Sequence, residues 1–491
     1  MIIKLLRKEN FFKSIIGGSI EFSSIILSNI ILIPIFLSYW SLETYSCWIL
    51  LIAAKSLINM VYTSHNNYIC FENLKDGLIN IKKINSRISS SLSISLILTL
   101  ILFFISFLEI KTNYVAKSLK VEFYNIENWS IFFSFYILIY GFLINVKNFF
   151  IGPISILKKF HIHSLIKGVG SFLIYVTLAI FLITGHDFKV LVIVFFSLEI
   201  ILTLFYIIYF YPVLQKNKFQ LVTPNLKEGL SNFNKSNIIL INYFLDFFKF
   251  DGLRFLISLI AGPTQLIIFT TTRTLVNAAN QFIIILEKPL LPLLMNNRKN
   301  SSINLIYKYN FYLIIFIINP LAFYSLEYIP LIYNYWTIGK IDFNSLLFLF
   351  LCFYLIIILL SLPIDKLIEG NNFLNFTFKI NLIFIVILIS FIYFYSKQYS
   401  LYLIGLGLFV GEFFIFILKL NFAFNKFNLL NKIKFNFIYV ILSIFNLVSI
   451  LILIYVFNLS KTYFSIMFLI TNYFLFYLVY RNYNKTISNK N

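Results

Sequence analysis

Long apolar runs alternate with short polar, lysine-rich segments from one end of the 491-residue chain to the other. A helix of about 20 apolar residues crosses a hydrocarbon core of about 30 Å. On that measure the pattern predicts helices at approximately 13–39, 44–64, 88–110, 129–155, 166–184, 188–211, 236–261, 264–294, 303–326, 344–365, 374–396, 400–419, 434–457 and 462–480. The chain therefore reads as an all-α polytopic membrane protein of about fourteen spans. A β-barrel does not fit, because its strands are about ten residues long and alternate in polarity.

An even number of spans puts both termini on one side. With the N-terminal MIIKLLRKENFFK inside, the alternate loops collect Lys75, Lys82, Lys83 and Arg87, then Lys158, Lys159 and Lys167, then Lys216, Lys218, Lys227 and Lys235. The later inside loops add Arg298, Lys299, Lys308, Lys366, Lys379, Lys419, Lys426, Lys432 and Lys434, and the tail adds Arg481, Lys485 and Lys490. About 27 of the 40 basic residues then fall inside and roughly seven outside, so the expected termini are cytoplasmic.

The segment 216–235, KNKFQLVTPNLKEGLSNFNK, is the longest polar inside stretch near mid-chain. It divides the first twelve helices into two sets of six, 1–215 and 236–420, and leaves 421–491 as an additional helix pair with its tail. Both sets begin with a helix entering from the inside, as in transporters built from parallel repeats.

Composition narrows the class. With 60% hydrophobic and 12% charged residues, a soluble chain of this length could not hide its apolar surface. The net charge of +21 is carried by loop lysines, which reads as topology rather than nucleic-acid binding. Cys47, Cys70 and Cys352 have neither metal spacing nor a disulfide framework. The first apolar stretch is too long for a signal-peptide core and lacks a small-residue cleavage site, so it is expected to remain as a span. There is no Walker lysine loop, HExxH, GxSxG or CxxC motif. No enzyme, cofactor or metal site is expected.

The candidate chemistry lies in polar residues at membrane depth, where charge is costly and usually faces a bundle interior or a water-filled path. Gly17, Glu21, Ser24 and Ser28 share a face of the first helix; close packing and a protonatable cavity wall are both open readings. Lys55 sits near the middle of the second, either pairing with Glu21 or facing a cavity. Lys147 is near enough to an end to snorkel. His161 and His163 lie beside Lys158 and Lys159, as a phosphate-attracting patch or a topology signal.

The stretch from Ser236 to Leu294 is the richest. Asp246 and Lys249 are three apart, as are Asp251 and Arg254, a spacing that favours ion pairs within one helix. The four spread over roughly 200° of a helical wheel, so some must meet other helices. Arg273, Asn277, Asn280 and Gln281 form a stripe at i, i+4, i+7 and i+8. Arg273 has no carboxylate three or four residues away, which makes it the candidate for an external anion.

The first hairpin reads IIGGSIEFSSIILSNIILIPIFLSYWSLETYSCWILL. It resembles the polysaccharide-exporter branch of the multidrug/oligosaccharidyl-lipid/polysaccharide (MOP) superfamily. Pro34, Glu43, Tyr45 and Trp48 match its pattern, with Ser46 where glycine is usual. The later stretch resembles the start of that family's second lobe, through DGLRFLIS, Gly262, Thr272, Arg273, Leu275, Pro289 and Pro292. The resemblance implies two six-helix lobes around a V-shaped cavity. It also implies alternating access and an undecaprenyl-diphosphate-linked O-antigen or capsule repeat unit as substrate. That substrate would move from the cytoplasmic to the outer leaflet of a bacterial inner membrane, driven by an ion gradient, among membrane lipids and other polysaccharide-assembly proteins.

On this reading Arg273, Arg254 and Lys55 attract the diphosphate and acidic sugars, and Asn277, Asn280 and Gln281 hydrogen-bond sugar hydroxyls. Glu21, Asp246 or Asp251 changes protonation during the cycle. One rival is a multidrug exporter of the same superfamily, whose cavity should be dominated by carboxylates. Another is a membrane-embedded glycan polymerase or acyltransferase, which needs a large outer loop or a His/Asp site; the outer loops at about 111–128 and 327–343 hold neither.

Overall fold

The computed structural model describes residues 24, 30–76, 80–119, 126–135, 138–139, 141–157, 159–287, 319–370, 373–398 and 400–427. Every regular element among them is helical. In chain order these are α1 (Ile30–Tyr39), α2 (Leu42–Asp76), α3 (Ile81–Thr112), α4 (Tyr114–Ser118), α5 (Ile126–Phe135), α6 (Gly141–Ile156), α7 (Phe160–Ile183) and α8 (Phe188–Lys216). They continue with α9 (Leu226–Phe247), a π turn (Phe248–Gly252), α10 (Leu253–Ala261), α11 (Pro263–Glu287), α12 (Asn319–Trp336), α13 (Ser345–Gly370), α14 (Leu374–Gln398) and α15 (Tyr402–Phe427). Seven of the described helices are long and apolar enough to cross a membrane. The expected spans at 434–457 and 462–480, and most of those at 13–39 and 303–326, lie outside the described residues.

Local chemistry sets the helix ends. The Asn80 side chain accepts from Lys83 N at the start of α3, and Asn225 accepts from Lys227 N and Glu228 N at the start of α9. Glu109, near the end of α3, turns its carboxylate onto the next helix. It accepts from Val115 N, Ala116 N and the Ser130 hydroxyl, so one buried acid joins α3, α4 and α5. Gly262 joins α10 to α11 at φ 82°, a conformation other residues adopt at a cost.

Contacts between helices fix their relative directions. Along α2 and α6, Tyr62 meets Gly141, Asn66 meets Asn145 and Asn73 meets Gly152, so the two run parallel. In the second half, Leu347 of α13 meets Gly405 of α15, and Asp365 meets Lys419, so these also run parallel. Gly407 and Gly411 meet Phe391 and Phe384 of α14, which runs the other way. This is the alternation expected of successive spans. The main apolar core runs through both halves of the chain, from Leu37 and Trp48 to Leu266 and Leu359.

Three expectations need correction. The mid-chain loop is shorter than 216–235, because Asn225 caps α9 ten residues before the expected start; the connection is 217–225. Arg87 lies inside α3, buried on Asp76 and Asn73, rather than in a loop. Lys419 lies inside α15, where it is buried between two carboxylates. Each basic residue sits at the end of an apolar run, and the two cannot be told from topology markers until their partners on other segments are known.

Candidate functional site

The helix that begins at Leu226 widens at Phe248–Gly252 into a π turn that holds one member of each expected ion pair, Lys249 and Asp251. Hydrogen bonding from i to i+5 disturbs the regular ladder, so nearby carbonyl groups become available to side-chain donors. Arg273, opposite on α11, uses them: its Nη2 donates to the Lys249 carbonyl at 3.0 Å and its Nη1 to the Phe250 carbonyl at 3.1 Å. The guanidinium lies against the Phe250 and Phe269 rings, with centroids 5.1 and 5.5 Å away, and has the Tyr354 hydroxyl beside it. Arg273 is only 3% exposed. It thus enters the site as a buried positive charge held by carbonyl dipoles, with its donors turned to the neighbouring helix.

The two intrahelical pairs form as the spacing predicts. Arg254 meets Asp251 at 2.6 Å, and Lys249 lies 3.6 Å from Asp246. The π turn changes the helical phase between them, and each pair meets a different neighbour. Lys249 Nζ donates to Asn381 Oδ1 on α14 at 2.9 Å and lies 4.4 Å from the Phe384 ring centroid. The Asn381 amide in turn donates to Asp246 at 3.4 Å. Arg254 lies within electrostatic reach of Tyr45 on α2, in the other half of the chain.

A third cluster closes this side. Lys419 Nζ lies 2.8 Å from Asp365 and 3.3 Å from Glu412, and Asp365 also accepts from the Ser361 hydroxyl. Glu412 feels the charge of Lys249, and Tyr354 sits among Glu412, Arg273, Asp246 and Lys419. The clusters therefore form one electrostatic network across α9, α11, α13, α14 and α15.

Lys55 belongs to the other half. Its ammonium pairs with Glu199 on α8 and lies over the Phe195 ring, 4.8 Å from the centroid. Among the expected site residues, the structure joins Arg273, Arg254, Asp251 and Asp246 through the π turn, and keeps Lys55 apart from them on Glu199. Asn277 is half-buried on α11. Asn280 and Gln281 continue that helix, with side chains outside the described residues, and Glu21 also lies outside them.

Sequence reasoning passed over Glu199, Asn381, Tyr354 and Lys419. Glu199 had a usable signal: it is the lone acid in an apolar run, and an intramembrane acid is a functional candidate by default. Asn381 and Tyr354 had none, since their importance lies in what they touch. The histidine patch is not what His163 forms: it is buried, with Nδ1 3.0 Å from the Tyr206 hydroxyl. The matched hairpin motif is an aromatic cluster. Phe36 stacks on Trp40 and Tyr45, Trp48 meets Phe188, and Ser46 donates its hydroxyl to the Glu43 carbonyl within α2.

No family model matches the sequence, and no curated protein matches it. Solved structures do match in fold. An inward-facing multidrug resistance MATE family transporter of the MOP superfamily superimposes with a TM-score of 0.64 at 13% identity, over 82% of this chain and 94% of that one. An outward-facing structure of such a transporter gives 0.58 at 14% identity, over 87% and 97%. A MOP superfamily transporter from Pyrococcus furiosus, described as having a binding pocket of reverse polarity, gives 0.59 at 15% identity, over 87% and 98%. At such identities the likeness is one of fold: this chain has the helical architecture of these membrane proteins.

Proposed function

We propose that the chain is an alternating-access membrane transporter that flips a diphosphate-linked glycan lipid, an O-antigen or capsule repeat unit, across a bacterial inner membrane. The observation that carries this reading is Arg273. It is a full positive charge in an apolar bundle, its hydrogen-bonding partners at the π turn are neutral carbonyls, and it stands beside the partly exposed Arg254. A diphosphate needs such a field when it leaves water. Arg254 and Lys55 keep about a fifth of their side-chain surface exposed, which supports them as the cations proposed to touch the substrate. Arg273 acts from behind the π turn. Asn277, with Asn280 and Gln281 further along α11, supplies hydrogen bonds to sugar hydroxyls. Glu21, Asp246 and Asp251 are the carboxylates proposed to couple ion movement.

A second reading has its own support. The Asp246 side chain is 42% exposed whereas its partner Lys249 is buried, so the accessible end of that pair is acidic. This favours a cationic substrate, and the multidrug transporters among the fold neighbours fit it. Proteoliposomes separate the two. Flipping of a fluorescent polyprenyl-diphosphate glycan, lost in Arg254→Gln, supports the flippase. Uptake of a cationic dye, lost in Asp246→Asn and without glycan-lipid movement, overturns it.

A further inference from the structure

We infer that the connection between the two halves, residues 217–225 with the first turns of α9, is a surface seated in the headgroup layer of anionic lipid. Its inner side is fastened to α3. Asn85 donates to the Lys218 carbonyl at 3.0 Å, and the Ser89 and Ser90 hydroxyls accept from Val222 N and Asn225 N at 2.8 and 2.9 Å. Glu228, the one acid in 216–235, accepts from the Ser86 hydroxyl at 2.6 Å and so is turned toward the same helix. Phe219 is buried in a core cluster with Phe210 and Ile88.

The outer side has a different chemistry. Leu221 is 68% exposed, and Val222, Leu226 and Leu230 are exposed with it. Further along α9, beyond the exposed Asn234 and Lys235, Ile241 and Phe244 are exposed as well. Lys216, Lys218, Lys227 and Lys235 are exposed around it, and Lys82 stands at the adjoining start of α3. Leucines that water disfavours, ringed by lysines and with the segment's own carboxylate held against α3, complement an anionic headgroup layer with acyl chains beneath it. A rigid backing distinguishes this segment from a solvated loop: four side chains of α3 hold its inner side.

The test uses the full chain in liposomes, with Cys47, Cys70 and Cys352 replaced by alanine and an environment-sensitive fluorophore on Thr223→Cys. The expected result is quenching by lipids spin-labelled near the headgroup and protection from aqueous iodide. Quenching should be stronger with phosphatidylglycerol than with phosphatidylcholine alone. Lys216→Gln, Lys218→Gln and Lys227→Gln together should abolish the phosphatidylglycerol increment while the detergent melting temperature holds. Leu221→Gln with Leu226→Gln should reduce lipid quenching in either lipid. Iodide quenching without lipid quenching overturns the proposal, and equal quenching in the two lipids overturns its anionic selectivity.

Discussion

Arg273 on α11 donates to the carbonyl of Lys249, so a residue read as a free cation is the clamp on a π turn of the neighbouring helix. The turn contains Lys249, the partner of Asp246, and Asp251, the partner of Arg254, so the clamp bears on the orientations of both pairs.

Arg273→Ala is therefore expected to destabilise the fold as well as alter transport. Two charged hydrogen bonds are lost, at about 1.5–3 kcal/mol each before relaxation. Arg273→Lys keeps the charge but cannot reach both carbonyls with a planar fork. Melting in detergent should fall in the order wild type, Lys, Ala. If Arg273→Ala melts like wild type, the clamp is not holding the turn.

The pair of Lys55 and Glu199 joins α2 to α8 within the first half. Removing one partner leaves a charge in a partly buried, apolar setting; removing both leaves none. Lys55→Met and Glu199→Gln are each expected to lower the melting temperature, and the double variant to recover part of the loss. The coupling energy should be about 0.5–3 kcal/mol. Additive losses would show that the pair contributes nothing as a pair.

These two sites mark how far the sequence could be read. Spans and alternation were legible because a bilayer imposes a length and a periodicity on each helix separately. The pair of Asp251 and Arg254 was legible because both partners lie on one turn. The pair of Lys55 and Glu199 spans 144 positions, and the sequence presents it as two unrelated buried charges. The π turn was hidden for another reason. It frees carbonyl groups on the helix facing α11, so Arg273 reads as the head of a polar stripe when its donors are spent on that neighbour's backbone. Lys419 was hidden by its position, since a lysine at the end of an apolar run looks the same whether it meets water or two carboxylates.

Gly229 provides a test of the seam between α3 and α9. A Cβ there would lie 2.6 Å from the Ser90 carbonyl oxygen and 2.8 Å from Ile94 Cγ1. The carbonyl belongs to helix backbone and cannot move aside alone. Gly229→Ala is expected to push the helices apart, at about 1–3 kcal/mol. Disulfide trapping between cysteines placed at Ser90 and Asn232 should slow in the alanine variant. Unchanged trapping and melting would mean that the seam is looser than this contact requires.

The last prediction concerns acid. Asp76, beyond the candidate span Leu42–Cys70, meets Arg87 at 2.8 Å and Lys83 at 3.4 Å. Desolvation raises its pKa, but the hydrogen bonds and charge of Arg87, with those of Lys83, outweigh it and hold the carboxyl below its ordinary value. A carboxyl with a depressed folded-state pKa binds its proton more readily when unfolded, at about 3.9. Its contribution to stability is therefore fully present above that pH and is lost as pH falls through the lower folded value. Asp76→Asn should melt below wild type at pH 7, and the gap should close as the pH is taken below about 4. Because the carboxylate is partly exposed, high salt should narrow the gap at pH 7 as well. A gap that stays constant with pH would assign the loss in Asp76→Asn to packing rather than to charge.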